Sequence, residues 1–331
     1  MARLFKLTLV AVLLSGAVIA GWLYHFANTP REVPSSAREL MVKKGRSLRG
    51  VSGDLAAQDV LSEPWSFVWM ARVLGRAGEV QAGIYRLPER ITPLRLLEMF
   101  AKGEVAEAQI TFIEGWTFTQ VRAALAQHPH VAKDSAGLTD QQILHRLHAN
   151  ETHPEGLFFP DTYHFSPGAS DLTILARAYE KMQAKLDALW TTRAPDLPYS
   201  SPYQALIMAS IVEKETGTAA DRPLIAAVFV NRLRKQMRLQ TDPSVIYGMG
   251  ARFDGNLRRR DLETDSAYNT YTRGGLPPTP IALPGEAALQ AALRPASSSA
   301  LYFVAKGDGS SQFSRTLDDH NRAVRKYQLG R

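Results

Sequence analysis

The chain has 331 residues, which is enough for two domains with separate cores. Its composition, 45% hydrophobic and 21% charged, is that of a globular protein and excludes extended disorder. The absence of cysteine excludes a disulfide framework, a thiol nucleophile and a cysteine-ligated zinc site. The formal net charge of +7 suits an anionic partner, but the basic residues form no stripe, so a nucleic acid partner is not predicted.

The N-terminus contains a long apolar segment, Leu7–Phe26. At about 1.5 Å per residue a helix of this length spans about 30 Å, the thickness of a bilayer core. Trp22 and Tyr24 suit the far membrane interface. The segment is longer than the apolar part of a signal peptide and no Ala-x-Ala site follows, so an uncleaved transmembrane anchor is predicted. Residues 1–6 are placed in the cytoplasm, because long domains translocate largely regardless of nearby charge.

A linker and a small domain follow the apolar segment. Residues 27–38 are rich in Pro and Ser and lack apolar periodicity, which predicts a linker. Residues 39–110 show a strand–helix–helix–strand–helix pattern, typical of a compact α+β unit. The predicted elements are a strand at 39–42, helices at 47–57 and 65–75, a strand at 83–87, and a helix that is capped by Thr92, begins at Pro93 and ends at Gly103.

The rest of the chain is predicted as a connecting α/β region, residues 111–154, and a larger mixed domain, residues 155–331. The connecting region includes the end of a strand at 108–113, a helix capped by Thr117 that runs to Gln127, and an exposed helical segment at 131–150. The larger domain is predicted to contain helices at 171–190, 202–216, 222–235 and 316–327, strands and loops after residue 236, and a buried strand at 301–305.

Glu213 follows a segment that is apolar on every face, a pattern that predicts a buried helix. It lies one turn after Ala209 and two turns after Leu206, on the same stripe. Burial would raise the pKa of such a carboxyl towards neutrality, which suits a general acid. The alternative is a solvated helix end at which Glu213 pairs with Lys214 or Arg234, and periodicity alone favours that alternative.

Two polar segments suit an N-acetylated sugar. One, at 239–248, places three polar side chains before a proline and predicts a rigid hydrogen-bonding loop. The other, at 268–271, sets aromatic rings beside an amide, and rings stack on the C–H face of a sugar while polar groups bind its hydroxyls. Structural turns are the alternative for both segments. The candidate substrate-binding residues are Gln240, Thr241, Asp242, Tyr247, Asn269 and Tyr271.

Other chemistries find little support in the sequence. His145 and His148 are three residues apart on a polar segment, but no further ligands accompany them, so a solvated face is predicted rather than a metal site. The chain has no Gly-x-Ser-x-Gly elbow and no phosphate-binding glycine loop. No metal and no cofactor are predicted.

Six segments of the chain resemble the endolytic murein transglycosylase family, also called MltG or YceG-like. They are EGLFFPDTY at 155–163, ASIVEKETG at 209–217, FVNRL at 229–233, LQTDPSVIYG at 239–248, YNTYTRGGLPPTPIALPG at 268–285 and LYFVAKGDGSSQFSRTLDDHNRAV at 301–324. They are spread along nearly the whole of residues 155–331, and residues 39–110 resemble the family's LysM-like module more loosely. The family usually has Gly where this chain has Thr279. It often has His where this chain has Gln312, which argues against a catalytic role for position 312.

The resemblance implies an α+β protein with an N-terminal transmembrane helix at 7–26, a small LysM-like α+β domain at 39–110 and a mixed α/β catalytic domain at 155–331. It further implies a single-pass protein of the inner membrane with a periplasmic catalytic part. The implied partners are peptidoglycan glycan strands, the inner membrane and, as candidates, cell-wall synthases.

The resemblance also implies the chemistry. The family cleaves the MurNAc–GlcNAc β-1,4 bond within nascent strands, leaves a 1,6-anhydro-MurNAc end and so terminates elongation. Its catalytic glutamate is placed at Glu213, with Glu155, Glu215 and Asn231 as supporting residues. One carboxyl can protonate the leaving oxygen and then accept the proton of the sugar's C6 hydroxyl, whereas ordinary glycosidases need two carboxylates. Asp242 and Glu215 are expected to stabilise the cationic transition state.

Two other functions are compatible with the same residues. A hydrolytic muramidase would use Asp242 or Glu215 as a second catalytic carboxyl, and its product would carry one added water. A non-catalytic, membrane-anchored scaffold would bind glycan and recruit synthases without turnover.

Overall fold

The computed structural model describes residues 2–43, 45–215 and 218–330, and no side chains are described for residues 2–5 and 7. The chain forms two compact units, one of Met1–Ala108 with His164–Gly168 and one of Gln109–Tyr163 with Ala169–Arg331. Two sequence predictions lie outside the described residues: the helix end at Thr216, and Gly217 at the end of the ASIVEKETG segment.

The first unit combines one long helix with a small α+β arrangement. Its helices are α1 Ala2–Asn28, α2 Leu48–Ala57, α3 Pro64–Val73 and α4 Pro93–Lys102. Its strands are β1 Arg31–Glu32, β2 Glu39–Val42, β3 Gly83–Arg86 and β4 Arg90–Ile91. β1 pairs with β4 and β2 pairs with β3, both antiparallel. The mixed α+β class predicted from the sequence is confirmed.

Local capping explains where the small helices begin and end. The Ser47 hydroxyl accepts from the Gly50 N–H and caps α2, and the Thr92 hydroxyl accepts from the Arg95 N–H and caps α4. Gly103 ends α4 in the left-handed conformation, with φ of 63°. The apolar faces of these helices meet in one core around Tyr85, whose ring contacts Phe100 edge to face at 4.7 Å.

Helix α1 is the one described helix that is long and apolar enough to cross a membrane, with a mean hydropathy of 1.9 over Thr8–Asn28. Most of its side chains are exposed, whereas Phe26 and Ala27 are buried in the core of the first unit. Such exposure fits a membrane anchor and not the core helix of a soluble domain.

The second unit is mainly helical. Its helices are α5 Phe118–Gln127, α6 Asp140–Arg146, α7 Asp171–Thr191, α8 Pro202–Glu215, α9 Arg222–Arg234, α10 Asp242–Met249, α11 Arg259–Glu263, α12 Glu286–Leu293 and α13 Leu317–Tyr327. The strands that complete the described chain are β5 Ala108–Thr111, β6 Val131–Ala132, β7 Thr162–Phe165, β8 Ala169–Ser170, β9 Tyr302–Ala305 and β10 Ser311–Ser314. The pairs are β5–β7, β6–β8, which is parallel, and β9–β10, which is antiparallel.

Helix α8 is the centre of the second unit. All of its residues from Ala205 to Val212 are buried, as the apolar sequence predicts. Helices α7, α9, α10 and α12 pack around it. The C-terminal end of this enclosed helix carries both Glu213 and Glu215.

Three sequence predictions about elements were wrong. Residues 131–150 are not one exposed helix, because only Asp140–Arg146 is helical and its Ile143 and Leu144 are buried. Asp242–Pro243 begins helix α10 instead of a rigid loop, because Pro is favoured in the first turn of a helix. Only Val304 of strand β9 is buried, since the other residues of this two-stranded sheet keep part of their surface in water.

Candidate active site

The two carboxyls at the end of α8 have different surroundings, although they are two residues apart. Two residues correspond to about 200° of rotation around a helix, so Glu213 and Glu215 leave α8 on nearly opposite sides. One of them contacts the loop that precedes α12, and the other faces helix α10.

Glu213 binds the loop of residues 281–285. Its Oε2 accepts the backbone N–H of Gly285 at 2.9 Å. One turn earlier on α8, the Ser210 hydroxyl accepts the N–H of Ile281 at 3.0 Å. Burial raises the pKa of Glu213, and the charge of Glu114 adds to the rise, while the Gly285 N–H opposes it. Glu213 and Ser210 therefore attach both ends of this loop to the central helix.

Glu215 lies against the start of α10. Its Oε1 accepts a short hydrogen bond from the Thr241 hydroxyl. Burial raises the pKa of Glu215 to about 7, and the charge of Asp242 adds to the rise, while Thr241 and the charge of Arg232 oppose it. A carboxyl with this pKa is about half protonated at neutral pH, so it can both donate and accept a proton.

A pocket of about 620 Å³ opens beside Glu215. Its size is in the range of small-ligand pockets. Glu213 is not among the described residues that line it. The lining residues are Glu215, Arg232, Leu239, Gln240, Asp242, Tyr271, Tyr302, Phe303, Val304, Ala305, Ser311, Leu317, His320, Val324 and Gln328.

Acidic and aromatic groups meet on one wall of this pocket. The Tyr271 hydroxyl donates to Asp242 Oδ1 at 2.5 Å, and Asp242 is the exposed first residue of α10. Gln240 has a left-handed backbone, with φ of 52°, and its Oε1 accepts from Arg232 Nη1 at 3.2 Å. Of the six residues predicted to bind substrate, the structure brings Gln240, Asp242 and Tyr271 into the pocket.

Three further pocket residues were not predicted from the sequence. Arg232 is buried and donates to the carbonyl oxygens of Leu239 and Leu301. Tyr302 and His320 stack with ring centroids 5.2 Å apart, and His320 Nδ1 is buried without a hydrogen-bond partner among the described residues. All three fall inside the family-like segments, but no local pattern separates them from ordinary core or surface residues.

The remaining predicted site residues have structural partners. Thr241 is buried behind Glu215 and donates to it. Asn269 is buried, and its Nδ2 donates to the carbonyl oxygens of Asp261, Leu262 and Thr264. Asn231 donates to the carbonyl oxygens of Ser298 and Ala300. None of these three side chains lines the pocket.

Glu155 is a fully buried carboxyl, 3% exposed. Its Oε1 accepts the Phe118 N–H at 2.9 Å, at the first turn of α5, and its Oε2 accepts the Tyr247 hydroxyl at 3.1 Å. Burial raises the pKa of Glu155 to about 7. Glu155 and Tyr247 thus join α5 to α10 through the interior and do not line the pocket.

The described residues contain no group of three or more His, Asp or Glu side chains placed to hold a metal ion.

Comparisons with known proteins identify the family of the chain. A YceG-like family model matches residues 40–326. The endolytic murein transglycosylase of Bacillus subtilis (strain 168) is 35% identical over 303 residues, which cover 86% of this chain and 83% of that protein. The protein of the same name from Streptococcus pneumoniae (strain D39) is 28% identical over 75% of this chain. The match covers 51% of the length of that Streptococcus protein.

A solved structure is also similar. The crystal structure of a yceG-like protein from Listeria monocytogenes matches with a TM-score of 0.56 and 30% identity. The match covers 86% of this chain and 97% of that chain.

Proposed function

This chain belongs to the YceG-like family, and from that premise we propose that it is an endolytic murein transglycosylase that cleaves peptidoglycan glycan strands. The proposal is supported by the names of its relatives and by a carboxyl of pKa about 7 at the edge of a ligand-sized pocket. The bond cleaved is the β-1,4 bond between MurNAc and GlcNAc, and the new end is a 1,6-anhydro-MurNAc.

Glu215 is the residue whose surroundings best support the acid/base role. In the protonated form it donates its proton to the O4 leaving group as the C1–O4 bond breaks. The resulting carboxylate then accepts the proton of the C6 hydroxyl, whose oxygen forms the new bond to C1. No water is consumed, and Glu215 ends the cycle protonated. A pKa near 7 suits both steps, because neither protonation state is strongly favoured.

Glu213, which the sequence predicts to be catalytic, has a better-supported role as a positioning residue. Its carboxylate is engaged by the Gly285 N–H, and it does not line the pocket. Together with Ser210 it holds residues 281–285 against α8. The catalytic assignment to Glu213 stays a prediction that a direct comparison of variants can test.

The pocket offers groups suited to a cationic transition state and to sugar hydroxyls. Asp242 carries a carboxylate beside Glu215, and preorganised negative charge stabilises an oxocarbenium-like centre. Tyr271 supplies an aromatic ring for stacking on a sugar ring, whereas the ring of Tyr302 already stacks on His320. Gln240 and His320 supply hydrogen-bonding atoms at the pocket wall.

We also propose that the first unit keeps the enzyme near its substrate. Helix α1 would anchor the chain in the inner membrane, with residues 1–6 in the cytoplasm and the catalytic unit in the periplasm. The LysM-like character assigned to residues 39–110 would add a grip on the glycan strand. Cell-wall synthases at the same membrane surface are candidate partners.

The mass of the products tests the proposed reaction. The purified full chain is incubated with isolated glycan strands, and the new reducing-end species are weighed. Anhydro ends, with no water added, are the expected result. Products heavier by one water would contradict the proposal and favour a hydrolytic muramidase with Asp242 as second carboxyl, and binding without turnover would favour a scaffold.

A further inference from the structure

Helix α3 presents an exposed apolar stripe. Trp65, Trp69 and Val73 are 57%, 55% and 66% exposed, and they follow one another at intervals of four residues on one face. The opposite face of α3 is buried in the core of the first unit, through residues such as Phe67 and Met70. Two tryptophans and a valine on one solvent face form an apolar patch of the kind that marks an interaction surface.

The stripe is continuous with the apolar span of α1. The ring of Trp22 stacks on the ring of Trp65, with centroids 5.1 Å apart and planes 14° apart. Phe26, one turn after Trp22, is buried in the core of the first unit. The last turns of α1 therefore belong to the folded unit, and the stripe begins where the apolar span meets it.

The free part of α1 is shorter than the thickness of a bilayer core. From Leu7, the residue after exposed Lys6, to Trp22, the helix is about 24 Å long at 1.5 Å per residue. A bilayer core is about 30 Å thick. A helix that is too short for the bilayer draws its flanking surface into the membrane or thins the bilayer. The surface that flanks the end of this span is the α3 stripe.

We infer that Trp65, Trp69 and Val73 form a membrane-docking face that lies in the interfacial layer where α1 leaves the bilayer. Tryptophan is enriched at this depth, because its ring is apolar and its N–H is polar. Arg72 is exposed and lies on the same face of α3, three residues after Trp69, where it can meet lipid phosphates. The docking face would keep the first unit in contact with the membrane surface. The inference rests on the membrane anchor proposed above.

A glycan strand is the other occupant that exposed tryptophans could bind, by stacking on sugar rings. The membrane is favoured because the stripe joins the lipid-exposed span directly through the Trp22–Trp65 pair. Val73 also extends the stripe with an aliphatic side chain, which offers a sugar no ring to stack on.

The absence of cysteine allows a clean test, since one introduced thiol can be labelled uniquely. The full chain carrying V73C and a nitroxide label is reconstituted in vesicles of phosphatidylcholine and phosphatidylglycerol. The matched control is A57C, which labels the exposed last residue of α2. Collision with oxygen, which partitions into lipid, is compared with collision with a water-soluble nickel complex.

The label at position 73 should be several-fold less accessible to nickel than the label at 57, and more accessible to oxygen. Adding W65Q and W69Q to V73C should raise nickel access at 73 several-fold, with the melting temperature unchanged. Equal nickel access at 73 and 57 in chains that resist carbonate extraction would overturn the docking face and leave the anchor standing. Extraction by carbonate would reject the anchor and the docking face together. Protection of 73 only after glycan is added would reject the membrane in favour of sugar.

Discussion

Glu213 and Glu215 show that two like residues on one helix can have different surroundings, depending on what each side chain contacts. Glu213 meets a backbone N–H that fixes it to a loop, whereas Glu215 meets a hydroxyl at the edge of a pocket. Burial raises the pKa of both. Contact with the pocket is the difference on which the proposed acid/base role of Glu215 and the proposed positioning role of Glu213 rest.

The first prediction compares E215Q with E213Q. Gln keeps the size of the side chain but cannot give and retake a proton. General acid–base catalysis contributes about 10²–10⁴-fold, so E215Q should lose activity in that range or beyond. E213Q can still accept the Gly285 N–H through its amide oxygen, so its loss should be much smaller. The rate of anhydro-end formation is measured for both variants, and the melting temperature of each shows whether it is folded.

A larger loss of activity in E213Q than in E215Q would assign the acid/base role to Glu213. Normal anhydro formation by both folded variants would move the search to Asp242, which also lines the pocket.

The second prediction concerns pH and stability at Glu215. The folded pKa of about 7 lies above the ordinary value of 4.5, so the folded chain binds the proton more tightly than the unfolded chain. Stability therefore falls as pH rises from about 4.5 to about 7, and the full cost is present above pH 7. E215Q removes this cost, so at pH 8 it should exceed wild type in free energy of unfolding by roughly 1–3 kcal/mol.

The measurement is denaturant unfolding of both chains at several pH values between 4.5 and 8. The gain of E215Q should shrink towards the lower pH, because the unfolded wild-type carboxyl also takes up its proton as pH falls to about 4.5. A gain that is the same at every pH would contradict the raised pKa. Glu155 also has a raised pKa, but it is present in both chains and its effect cancels in the difference.

At the scale of elements, the site depends on how loops are held against the central helix. Residues 281–285 are attached to α8 by Ser210 and Glu213. The backbone of Gly156 approaches the same loop, because a Cβ added there would lie 2.4 Å from Cβ of Pro280 and 3.3 Å from the Ala282 oxygen. Gly156 therefore packs directly against Pro280 and Ala282, next to the loop that Glu213 holds.

The third prediction uses two glycines of the second unit with the same backbone. Gly156 and Gly137 both have φ of +79°, but nothing lies within 4 Å of a Cβ at Gly137. G137A should cost only the left-handed strain, about 1–2 kcal/mol. G156A adds a steric clash, which costs about 1–3 kcal/mol more. Denaturant unfolding of both variants measures the difference, and equal losses would show that the loop moves away without cost.

Strand and helix boundaries were predicted well where a local signal exists. Thr117 caps α5, as the sequence predicts, and it does so through a capping box with Gln120. Helix α13, Leu317–Tyr327, matches the helix predicted at 316–327 and is capped by Thr316. Helix α10 was missed because its start, Thr-Asp-Pro, resembles a turn as much as a helix N-terminus. The segment 131–150 was misassigned because its helix is short, Asp140–Arg146, and buries Ile143 and Leu144.

At the scale of the whole molecule, the apolar helix α1 precedes all the other described elements of the chain. The fourth prediction is that a reporter active only in the periplasm, fused after the last residue, is active and sediments with membranes. A single apolar helix with a large domain after it supports this topology. Activity in a soluble and shortened protein would instead show that α1 is a cleaved signal, and an inactive reporter in the membrane fraction would reverse the orientation.

The sequence by itself determined the α+β class, the apolar N-terminal helix and the family, because these depend on periodicity, length and matched segments that are local along the chain. It also located the helix that carries the candidate acids. It could not tell which of Glu213 and Glu215 faces the pocket, nor separate Tyr271 in the pocket from Asn269 behind it. Only the tertiary structure decided these points, because burial and pocket contact arise from residues such as Thr241, Gly285 and His320 that are far apart in sequence and meet only in the folded chain.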